Sequence, residues 1–139
     1  MTSFPKGWFF IKNLNNGYVL STEKFTAGEP IVIATLKTKD FDTQLWQYGE
    51  DGRLHNKKTG FVLDIFKGLI KAGSEIVQQN DSNSSEGQTF GISSDGHIYL
   101  QKDPNLVLGI KESFFTRREG QHVHLQAMDK NIKEHKEQP

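Results

Sequence analysis

Gly17-Tyr18-Val19-Leu20 returns as Gly60-Phe61-Val62-Leu63 and once more as Asn105-Leu106-Val107-Leu108. The three leucines stand 43 and 45 residues apart. A second marker follows each copy: Gly28-Glu29-Pro30-Ile31-Val32, Gly73-Ser74-Glu75-Ile76-Val77 and Gly120-Gln121-His122-Val123-His124. Gln44-Leu45-Trp46 recurs as Gln88-Thr89-Phe90, and Asp51-Gly52-Arg53-Leu54 as Asp95-Gly96-His97-Ile98. Four markers in one order, at one period, make the chain a tandem array in which each unit buries its apolar face against its neighbours.

Within a unit the apolar runs are short, β-branched and aromatic, as in Trp8-Phe9-Phe10-Ile11, Ile31-Val32-Ile33, Phe61-Val62-Leu63-Asp64-Ile65 and His97-Ile98-Tyr99-Leu100. Asn16-Gly17, Asp51-Gly52 and Asp95-Gly96 punctuate them, and such dipeptides reach the positive φ that tight hairpins need. No window carries an extended 3.6-residue apolar period, which excludes helical repeats. The pattern predicts about four strands per unit. Three copies are too few to close a propeller ring, which takes at least about four blades. Three four-stranded units do close as a β-trefoil, six strands forming a barrel and six a cap, and closure removes exposed strand edges. The expectation is one all-β domain over residues 1–139, with repeats at about 7–52, 53–96 and 97–139.

Composition narrows the function. Seventeen lysines and arginines balance seventeen aspartates and glutamates, so the basic excess of a nucleic-acid binder is missing. There is no cysteine, hence neither a disulfide framework nor thiolate chemistry. No apolar run reaches bilayer-spanning length, and Met1 to Trp8 lacks the apolar stretch of a signal peptide. These features predict a cytoplasmic protein with no membrane insertion and no nucleic-acid partner. His122-x-His124 places two rings on one strand face, as a metal pair requires, but no third ligand is specified. No nucleophile elbow, phosphate loop or cysteine nucleophile is present; the chain reads as a non-enzyme with no cofactor or metal.

The repeat Gly-x-x-Val, then Gln-x-Trp, then Asp-Gly-x-Ile, resembles that of the ricin B-type lectins over roughly residues 7–129. It looks most like the short, single-domain, cysteine-free members found in fungi. The resemblance implies a carbohydrate-binding lectin for galactose-type or related glycans, with glycans or glycoproteins as partners. In that family an aromatic stacks on the apolar face of the sugar while a carboxylate and an Asn-Gln pair hold its hydroxyls. Carried over, the second repeat keeps the carboxylate as Asp64 and the glutamine as Gln88, with Gln79 at the stacking position and Gly87 where the asparagine belongs. Asn80 and Asp81 lie beside it, and Phe66 follows two residues after Asp64. The expected site is therefore Asp64, Phe66, Gln79, Asn80 and Gln88. The first repeat has Ser21, Ala34 and Thr43-Gln44 at these positions, and the third has Gly109 and Gln126. No repeat carries the stacking aromatic. That departure supports the alternative of a protein-interaction trefoil, protease-inhibitor-like or toxin-like, that has lost sugar binding.

The third repeat ends in a polar run after Asp129, with Gln138 as a displaced Gln-x-Trp glutamine. This predicts a missing closing strand and an open barrel edge at Trp8–Ile11, suited to a homodimer. Phe114 and Phe115 are expected to pack or to meet a partner, and Arg117-Arg118-Glu119 reads as a solvated charge run.

Overall fold

A computed structural model describes residues 3–110 and 120–128. The expectations for Phe114, Phe115, Arg117 to Glu119, Gln138 and the closing strand fall outside those residues. The described chain holds ten strands: β1 (Val19–Ser21), β2 (Val32–Ala34), β3 (Trp46–Tyr48), β4 (Leu54–Asn56), β5 (Val62–Ile65), β6 (Ile76–Gln79), β7 (Phe90–Ile92), β8 (Ile98–Leu100), β9 (Asp103–Ile110) and β10 (Val123–Ala127). Consecutive strands pair antiparallel as a β1–β2 hairpin, a β3-β4-β5-β6 sheet and a β7-β8-β9-β10 sheet. The four strands expected of the first repeat are only partly formed. Its opening run is reduced to single bridges, Phe9 to Trp46 and Lys12 to Val19, held by reciprocal Phe9–Trp46 backbone bonds of 2.8 and 2.9 Å.

The second marker explains how three units become one body. Gly28 donates its N–H to the Gln78 carbonyl (2.7 Å), and Gln78 donates back to Glu29 (2.9 Å). Gly73 repeats this with Leu125, which donates to Ser74; Gly120 repeats it with Ile33, which donates to Gln121. The first repeat is thus tied to the second, the second to the third, and the third to the first. All three glycines have positive φ, +89, +95 and +86, a conformation costly for residues with a Cβ. The marker is the clasp of a pseudo-threefold ring.

Inside the ring the alternating apolar positions converge. Trp46, Phe90, Ile31, Ile33, Leu54, Leu63, Ile76 and Leu100 are fully buried. The aromatics of both Gln-x-Trp/Phe motifs are therefore core residues, each removing a large apolar area from water. Trp46 also satisfies its indole N–H on the Leu20 carbonyl at 3.2 Å.

Candidate carbohydrate site

Each repeat glutamine, as far as the described residues reach, works as a loop clamp. Gln44 accepts from the Lys37 N–H (3.0 Å) and donates to the Thr35 carbonyl (2.9 Å). Gln88 accepts from the Ser82 N–H (2.9 Å) and donates to the Asn80 carbonyl (2.9 Å). The same amide thus fixes the same loop one period later. In the second repeat it does more, since Gln88 Nε2 also donates to Asp64 Oδ2 at 3.0 Å. Asp64 sits on β5 opposite Val77, 8% exposed. Its Oδ1 accepts from the Ile65 N–H at 2.6 Å, and the Ser85 hydroxyl reaches both oxygens at 3.1 and 3.3 Å. Burying a carboxylate is costly unless donors compensate, and here three protein groups do so.

Of the five expected site residues, the structure brings three together: Asp64, Gln88 and the backbone of Asn80. The Gln79 amide lies instead against Gly28 of the first repeat, 3.8 Å from where a Cβ would stand. Phe66, 42% exposed, occupies a 3₁₀ turn after β5 with Lys67 Nζ 5.3 Å from its ring centroid. Gly87 has a steric reason to lack the asparagine side chain. A Cβ there would come 2.7 Å from Asp64 Oδ1 and 2.8 Å from Ile65 Cγ1.

Two participants were not singled out from the sequence. Arg53, buried, donates from Nε to Gln88 Oε1 (3.0 Å) and from its guanidinium to Asp51 Oδ2 (3.2 Å) and the Ser82 carbonyl (2.9 Å). Burial pushes the Asp51 carboxyl up, but hydrogen bonds from the Arg53 backbone and guanidinium and the nearby His55 outweigh it and hold the group below its usual range. Ser85 is the second, its hydroxyl standing on the Asp64 carboxylate. The only sequence clue was the exchange of Arg53 for His97 between two otherwise matched turns.

The first repeat offers an open hollow instead of a carboxylate notch. About 460 Å³ is bounded by Glu23, Ala34 and residues 35–39. Ser21, at the family's carboxylate position, donates to Glu23 Oε1 at 3.1 Å, so an acid stands there by proxy. Lys37 Nζ meets the Thr43 hydroxyl at 3.3 Å. In the third repeat Gly109 is filled over by Gln126, whose Oε1 would overlap an added Cβ. The His122 ring engages Glu75 at 2.8 Å; among the described residues no three His, Cys, Asp or Glu side chains are grouped to hold a metal.

The family model of the ricin-type beta-trefoil lectin domain matches residues 7–136. The chain belongs to that family. Among solved structures it is similar to the mdaA-1 domain, determined in solution, at 56% identity and TM-score 0.86, covering 94% of this chain and 85% of that one. It is also similar to the C-terminal domain of an earthworm lectin, a mutant solved in complex with 6'-sialyllactose, at 25% identity and TM-score 0.68 with 88% of both chains covered. The human Beta/gamma crystallin domain-containing protein 1 is 28% identical over 124 residues, 88% of this chain. The chain spans only 6% of that protein's length.

Proposed function

We propose that this ricin-type trefoil is a non-catalytic glycan-binding module that takes a galactose-type sugar at the second repeat. The observation that carries the reading is the 3.0 Å pairing of Asp64 Oδ2 with Gln88 Nε2. It retains the acceptor and amide that such a lectin uses, with the Asn80 loop clamped beside them. Asp64 accepts the sugar hydroxyls, Gln88 holds the carboxylate in orientation, and Asn80 supplies polar contact from the rim. Phe66 follows β5 and Gln79 ends β6, at the edges from which a ligand seated on Asp64 would be approached. A carboxylate has about four lone-pair sites, and the Ser85 hydroxyl occupies one that a sugar hydroxyl would claim. Binding therefore exchanges Ser85 for the ligand, and with no stacking ring the affinity is on the order of millimolar. Useful avidity then comes from several copies presented together.

The test is an amide chemical-shift titration with lactose and N-acetylgalactosamine, on the wild type and on Ser85→Ala. Shifts at Ile65 and the Asn80–Gly87 loop, with several-fold tighter binding in the variant, support the reading. Shifts confined to residues 35–39 move the site to the first-repeat hollow. The second reading, a protein-recognition trefoil, is favoured by the three protein donors already on Asp64. A glycan array without any binder, on a folded sample, would establish that reading in place of the first.

A further inference from the structure

Among the described residues, eight large apolar side chains are exposed, and four of them share one face: Trp8 (41%), Phe10 (39%), Phe25 (53%) and Phe41 (36%). Single exposed apolar residues are ordinary, but a contiguous patch marks an interaction surface. The opening segment alternates, Phe9 and Ile11 entering the core while Trp8 and Phe10 point outward. The Phe10 and Phe41 rings meet edge to face at 5.7 Å. The turn between β4 and β5 completes the face. Lys57 Nζ stands 5.8 Å from the Trp8 ring centroid, and Lys58 Nζ 5.8 Å from that of Phe25. Lys57 also reaches Asp42 Oδ1 at 3.8 Å, beside Phe41.

Charge is concentrated here. The framing segments 6–12, 39–42 and 57–58 hold five lysines against two aspartates, net +3 in a chain whose total is zero. We propose that this face docks peripherally on an anionic lipid bilayer, Trp8 and the phenylalanines entering the headgroup level and Lys57 and Lys58 meeting lipid phosphates and carboxylates. Aromatic rings with flanking lysines suit that boundary, the rings at the interface and the cations toward the anionic layer. A glycan fits less well, because lysine ammonium groups already lie over the ring faces of Trp8 and Phe25. A second copy fits less well too, since a twofold interface would set the same lysine-rich face against itself. The attachment is superficial: no helix among the described residues is long and apolar enough to cross a membrane.

Vesicle sedimentation tests this on the full chain. Binding is expected to phosphatidylcholine–phosphatidylserine vesicles and not to phosphatidylcholine alone. It should be lost near 1 M salt, where the screening length falls to about 3 Å. Lys57→Glu with Lys58→Glu should weaken partitioning on the order of ten-fold or more. Trp8→Ala with Phe10→Ala should weaken it also, with buried Trp46 emission reporting that both variants stay folded. Trp8 emission should shift to the blue on the anionic vesicles, a change absent from Trp8→Phe. No sedimentation with anionic vesicles, or sedimentation indifferent to both variants, would overturn the proposal. So would a concentration-dependent dimer, seen by light scattering, that the same substitutions abolish.

Discussion

At the residue scale, Gly87 and Asp64 are fitted to one another. Gly87→Ala drives a methyl against a fixed carboxylate and the Ile65 side chain, and overpacking of this kind costs about 1–3 kcal/mol. Urea denaturation should show that loss. Gly60→Ala has open space around it and meets only the penalty of its positive φ, about 1 kcal/mol. Equal losses at the two positions would disprove the steric account. The turn carboxylates make a second prediction. Asp95 is held well below its usual range by the Ser93 hydroxyl and the His97 imidazole beside it, and Asp51 lies below it through Arg53. A carboxyl whose folded value is depressed binds fewer protons folded than unfolded. Its stabilisation is complete above the unfolded value of 3.8 and drains away as pH falls through the folded one. Stability should therefore decline below about pH 4, and Asp51→Asn should flatten that decline. An unchanged acid profile in the variant would remove Asp51 from the explanation.

At the element scale, the repeat glutamine turns a loop into a defined shape. Gln44 and Gln88 are both buried, and each clamps one N–H and one carbonyl two residues apart. Truncation removes two bonds to part-buried backbone groups, each worth about 0.5–1.5 kcal/mol. Gln44→Ala should accelerate hydrogen exchange at the Lys37 amide, and Gln88→Ala at Ser82, each leaving the other loop protected. The second substitution also frees Arg53 and Asp64, so it should cost more than the first in denaturant. A smaller loss for Gln88→Ala would show that the extra bonds of the second repeat add nothing.

At the scale of the whole molecule, the three-glycine clasp makes the repeats interdependent. Each repeat's marker glycine bonds to the next repeat, around a closed ring, so no repeat has a complete hydrogen-bond set alone. Unfolding should be one cooperative transition, with the Gly28, Gly73 and Gly120 amides exchanging at a common free energy. A markedly lower value at one glycine would mean that its repeat opens independently. Trp46 sits at the centre of this body, wholly buried, and Trp46→Ala should cost about 3–5 kcal/mol.

The trefoil was readable from the chain because its determinants are local and periodic. Turn dipeptides, alternating apolar residues and a marker glycine returning every repeat all act over a few residues. That Trp46 and Phe90 are both core, and that Gln44 and Gln88 both hold a loop, fits the same repetition, since a motif that recurs one period later serves what the two units share. The site was readable only as a set of candidates. Asp64 and Gln88 do meet, yet Gln79 turns to the first repeat and the Phe66 ring carries Lys67. Arg53 reaches Gln88 across 35 residues and Ser85 reaches Asp64 across 21, where no local rule points. The aromatic–lysine face was equally hidden, its members scattered from Trp8 to Lys58. Repetition writes a fold into the sequence many times over. A binding surface is written once, in side chains that only closure of the ring brings together.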